Sequence, residues 1–75
     1  MMKGTRVQIP AYADRWMMGD RHGVIDKVTR HRIGENWQHL PRGYLVGDII
    51  EVAHVKLDKS GRTVAYYLEN CEVVS

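Results

Sequence analysis

Asp48-Ile49-Ile50-Glu51-Val52-Ala53-His54-Val55-Lys56-Leu57, Asp58-Lys59-Ser60-Gly61 and Arg62-Thr63-Val64-Ala65-Tyr66-Tyr67-Leu68 run consecutively and decide the fold. Both arms are rich in β-branched and aromatic residues, which pack well on a pleated, half-buried surface. The four residues between them suit a hairpin turn: Asp58 and Ser60 can hydrogen-bond the local backbone, and Gly61 takes positive φ without a steric penalty. Apolar residues of the first arm change face part-way, so a bulge is expected near Ala53 or His54.

Upstream, Thr5-Arg6-Val7-Gln8-Ile9 alternates polar and apolar and stops at Pro10, which cannot donate to a central ladder. Ala11 to Asp20 shows neither a period of two nor a sustained helical stripe and reads as a long, partly packed loop. Asp20-Arg21-His22-Gly23 turns the chain into a strand from Val24 to Arg32, where Ile25 and Val28 lie three apart and imply a bulge and a bend. Residues 33–47 hold no period and form a long irregular loop, the kind of segment on which contact residues are carried. Downstream, Glu69-Asn70-Cys71 leaves room for one tight turn before a short last strand, Glu72-Val73-Val74. The expectation is one all-β domain over residues 1–75, about five antiparallel strands curled into a small, partly open barrel. Its expected core is Val7, Ile9, Ile25, Val28, Ile50, Val52, Val55, Leu57, Val64, Tyr66 and Val73.

Composition narrows the chemistry. With one cysteine, Cys71, an intramolecular disulfide is impossible and no Cys-x-x-Cys pair exists for zinc or thiol exchange. No apolar run approaches the roughly 18 residues that span a bilayer, and Met1-Met2-Lys3-Gly4-Thr5-Arg6 has no long apolar stretch of signal type. The expectation is a cytoplasmic chain with no membrane partner. The formal net charge of +2 divides unevenly: residues 1–42 carry +4 and residues 43–75 carry −2. A positive field toward an anionic partner follows.

The order of short strand, long first loop, bent strand, second loop, tight hairpin, single turn and terminal strand resembles the SH3-like barrel superfamily over nearly the whole chain. Within it, Val7-x-Ile9 followed by Gly19-Asp20-Arg21-His22-Gly23-Val24-Ile25 is similar in layout to the KOW-type element of ribosomal proteins and elongation factors. That resemblance implies a first loop that contacts RNA or protein. Compared with peptide-binding SH3 domains, Tyr12, Trp16 and Trp37 are present, but the acidic cluster is missing and Glu69-Asn70-Cys71 replaces the Pro-Tyr segment. Recognition of Pro-rich helices is disfavoured accordingly.

Two binding surfaces suggest themselves. Arg15, Trp16, Arg21, His22, Arg30 and Arg32 have the composition of a nucleic-acid surface, guanidinium groups against phosphates and an indole for unpaired bases. The bland alternative is that Trp16 caps the core and the arginines are a solvated face. Trp37 and Tyr44, in the 33–47 loop, are the candidate anchors for a protein partner. The histidines His22, His31, His39 and His54 have gaps unlike those of metal ligands on one helix face or turn, so no metal and no cofactor is expected. No nucleophile stands in register with a base, and Gly19-x-x-x-Gly23 is not a phosphate loop. The expectation is a small non-catalytic binding module, a weak nucleic-acid-binding accessory protein of bacterial or phage type, with a protein-interaction adaptor that uses the 33–47 loop as the alternative.

Overall fold

The computed structural model describes residues 3–74; Met1 and Met2, read above for a signal segment, and Ser75 lie outside the described residues. Five strands, β1 (Arg6–Gln8), β2 (His22–Arg32), β3 (Ile49–Leu57), β4 (Thr63–Tyr67) and β5 (Glu72–Val73), form one antiparallel sheet in the order β4-β3-β2-β1-β5. The sheet curls without closing, so β4 and β5 remain its two edges. This is the all-β, partly open architecture expected. One correction falls in the first loop, where Asp14–Met17 make a single helical turn, α1. A turn of four residues shows too little period to be seen in sequence.

The bend in β2 lies where Ile25 and Val28 predict it: Asp26 is the extra residue, and pairing moves from Ile25–Val55 to Lys27–His54 across it. The bulge expected on β3 near Ala53 or His54 is absent, for β3 pairs with β4 without interruption from Val52–Tyr67 to Lys56–Thr63. The irregularity that faces those residues belongs to β2 instead. Gly23 lets β2 and β3 approach closely, since a Cβ there would stand 2.4 Å from the Lys56 carbonyl oxygen.

One face of the sheet carries the main core: Val7, Ile9, Ala13, Ile25, Ala53, Val55 and Leu57 are buried, with Trp16, Val28, Val64, Tyr66, Leu68 and Cys71 packed around them. Ile50 is buried on the other face together with Ile33, at the neck of the long loop. There Ile33 N–H donates to Asp48 O and Gly47 N–H to Ile33 O, both at 2.8 Å, so the strand pairing runs on into the loop. Besides Ile50, two expected core residues do not belong to the main cluster. Val52 is half-buried on the second face, because strict alternation from Ala53 puts it there, and Val73 is 60% exposed on the edge strand β5. Ala13, carried by the first loop, fills the core in its place.

Candidate functional site

The 33–47 loop does not hang free. Trp37 lies over Tyr67, ring centroids 6.3 Å apart and planes 20° from parallel, and its indole Nε1 is 3.0 Å from where a Cβ on Gly34 would be. Two residues on, His39 stacks on Tyr12 at 3.9 Å with the rings 7° apart, and Tyr12 meets Tyr66 edge-on at 6.4 Å. Asn70 Nδ2 donates to His39 O at 2.7 Å and to the Tyr12 hydroxyl at 3.2 Å, joining loop, first loop and the 3-10 turn Leu68–Asn70. The Tyr44 hydroxyl donates to Glu69, and that bond raises the Tyr44 pKa. The loop is thus wrapped from one face of the sheet to the other around the end of β4.

Beside that wrap a cavity of about 300 Å³ is lined by Tyr12, Gln38, His39, Val52, Ala65, Tyr66 and Tyr67. Ala65, Tyr66 and Tyr67 are consecutive residues of an edge strand, and successive side chains of a strand point to opposite faces. A cavity touching all three straddles the edge itself. Burial raises the pKa of both Tyr66 and Tyr67, so the phenols stay neutral, donating groups.

The free backbone groups of this edge can be assigned. Leu57 N–H donates to Arg62 O at 2.8 Å, which starts the ladder with a hydrogen-bonded pair. Pairs in an antiparallel ladder alternate, so Lys56–Thr63, His54–Ala65 and Val52–Tyr67 are the non-bonded ones. Thr63, Ala65 and Tyr67 therefore turn their N–H and C=O groups outward, away from β3.

The six residues proposed for nucleic acid fall in two groups. Arg15, Trp16 and Arg21 meet at α1 and the start of β2: the Arg21 guanidinium sits 4.6 Å from the Trp16 ring centroid, and its Nε donates to Trp16 O at 3.1 Å. Trp16 is half-buried against the core, so Arg21 covers indole that a base would need. His22 opens β2 next to them. Arg30 and Arg32 lie near the other end of β2, about 25 Å of strand away from His22. There Arg30 pairs in register with Glu51, and Arg32 Nη1 donates to Gly47 O at 3.0 Å. Of the two protein-binding candidates, Trp37 is 38% exposed beside the cavity, whereas Tyr44 is occupied in holding the loop.

Two further clusters were not legible in the sequence. Asp20, 3% exposed, accepts from the Lys59 amide at 3.3 Å and clamps the β3–β4 turn to the first loop across 39 positions. Ser60's hydroxyl lowers its pKa against the opposing effect of burial, helped by the amides of Lys59 and Ser60 and by Arg15. On the second face, Thr29 Oγ1 lies 2.7 Å from His31 Nε2 and 2.8 Å from His54 Nε2. Ser60 Oγ also accepts from the Arg62 amide at 3.3 Å, a local turn bond. Among the described residues no three His, Cys, Asp or Glu side chains group as a metal set, and no helix is long and apolar enough to cross a membrane.

No protein-family model matches the chain, and no curated protein or solved structure matches it either.

Proposed function

We propose that this chain is a non-catalytic protein-interaction module that takes up an extended segment of a partner along the outer edge of β4. The observation that carries the reading is the cavity of about 300 Å³ lined by three consecutive residues of an edge strand. An added strand would find the outward groups of Thr63, Ala65 and Tyr67 for pairing, and one of its side chains would enter the aromatic cavity. Main-chain bonds supply affinity in this mode and the pocket supplies selectivity. Trp37 backs the site from outside the lining, holding Tyr67 from the loop side, while Tyr44 and Asn70 keep the loop in place. The nucleic-acid reading has less geometric support, because its residues are split between two ends of β2 and the Trp16 ring is already covered by the Arg21 guanidinium.

Ala65→Pro tests the proposal cleanly. Proline there removes an outward N–H and leaves the β3–β4 ladder bonds, a substitution that edge strands tolerate. A random peptide library panned on the native chain, with counter-selection on Ala65→Pro, should yield binders of β4. Their amide-shift footprints should centre on residues 63–67 and vanish when the peptide is N-methylated at alternate positions. Binders that ignore both changes would refute the edge-pairing mode.

A further inference from the structure

We infer that the segment which fills this edge is acidic, with carboxylates at two alternate positions opposite Thr63 and Ala65 and an apolar residue opposite Tyr67. The inference rests on the edge reading above and deepens it. Its basis is the composition of three rows that run inward from β4 on the second face of the sheet.

Register fixes these rows. Inward from the edge they read Thr63, Lys56, Val24; then Ala65, His54, Lys27; then Tyr67, Val52, Thr29. Directly paired residues share a face, so each row is a line of neighbouring side chains. Its first two rows hold Lys56, His54 and Lys27, and none of the nine residues is a carboxylate. Lys56 and Lys27 are exposed, and the Thr29 hydroxyl holds one ring nitrogen of His54. The third row is apolar and aromatic up to Thr29, and its Tyr67 and Val52 line the cavity.

An added strand would lie about 10 Å from β3, two interstrand spacings. At most positions the intervening side chain on β4 would keep the two apart. Here the intervening residues are Thr63 and Ala65, both small. A glutamate opposite Ala65 can therefore lean over a single methyl group toward His54 and Lys27, and one opposite Thr63 toward Lys56. The residue opposite Tyr67 meets the cavity and is apolar. Alternation of side chains then dictates the partner's pattern: acid, any, acid, any, apolar for a segment parallel to β4, and the same order reversed for an antiparallel one. Charge complementarity of this kind selects the partner and speeds encounter more than it adds to affinity.

The test uses the full chain labelled with ¹⁵N and two synthetic probes, acetyl-Thr-Glu-Thr-Glu-Thr-Leu-Thr-amide and its reversed sequence, each beside a counterpart with Gln for Glu. The expected result is saturable shifts of residues 63–67, Lys56 and Lys27 with one orientation of the Glu peptide, and binding about tenfold weaker with Gln. Lys27→Gln combined with Lys56→Gln, both exposed positions, should shrink that difference to about twofold. If Glu and Gln peptides bind β4 equally, the acidic pattern is wrong while the edge reading stands. If no peptide moves the β4 amides, both are wrong. A short oligothymidylate that shifts Lys27 and Lys56 where the Glu peptides do not would overturn the inference in favour of nucleic acid. Dimerisation in sedimentation that Ala65→Pro abolishes would overturn it in favour of a second copy of the chain.

Discussion

A methyl group added at Gly23 tests how closely β2 and β3 are pressed together. A Cβ on that residue would lie 2.4 Å from the Lys56 carbonyl oxygen, 2.7 Å from Val55 Cγ1 and 3.0 Å from Leu57 Cα. Carbon–oxygen contacts across a sheet ordinarily settle at about 3.3 Å or more, so the strands must part by nearly 1 Å at this point. Two of the three obstructing atoms are backbone, and the third belongs to a buried valine, so no flexible side chain can swing aside. Overpacking of this kind costs about 1–3 kcal/mol, and alanine's smaller unfolded-state entropy returns less than about 1 kcal/mol. A chain of this length has only about 4–11 kcal/mol of stability in total. With about 4–8 °C lost per kcal/mol, Gly23→Ala should lower Tm by roughly 5–20 °C in a calorimetric scan. Gly34→Ala is the control: its Cβ would meet the end of the Trp37 side chain at 3.0 Å, which can rotate away. It should lower Tm by much less and loosen Trp37 over Tyr67, seen as a change in indole fluorescence. A Gly23→Ala variant as stable as the parent would mean that the strands are not in such close contact there.

Four other outcomes follow from the same structure. Asp20 has a pKa below its unfolded value, so its contribution to stability is present above about pH 4 and is lost as the pH falls through the folded value. Asp20→Asn should flatten the acid limb of a stability-against-pH curve; an unchanged limb would remove the clamp argument. Cys71, its thiol pushed up to about 11 by burial, should react with iodoacetamide at pH 8 far more slowly in the folded chain than in urea, and equal rates would show it accessible. Tyr44→Phe removes the bond to Glu69 and should speed amide exchange across residues 33–47 while leaving β2 and β3 protected. Trp37→Ala should weaken capture of β4-edge peptides about tenfold or more, with a Tm loss smaller than that of Gly23→Ala. The reverse ranking would make Trp37 a core residue.

Sequence by itself determined the strands along the chain, because period-two patterning, β-branched residues and the turn at residues 58–61 are local signals that burial on one face imposes. It also located the bend of β2, since Ile25 and Val28 can share a core face only if a residue is inserted between them. The exposure of Trp37 was legible from the polar loop that carries it. What only the tertiary structure decided is everything that depends on which strand is left unpaired. Tyr66 and Tyr67 read as ordinary strand residues until β4 is known to be an edge. Tyr12, His39 and Asn70 come from three separate segments, and no spacing in the chain announces that they meet. The row Lys27, His54, Ala65 joins residues from three strands through a register displaced by the Asp26 bulge. Moving that register by one residue would send each side chain to the opposite face, so the charge and shape of the candidate site are properties of the pairing rather than of any local stretch.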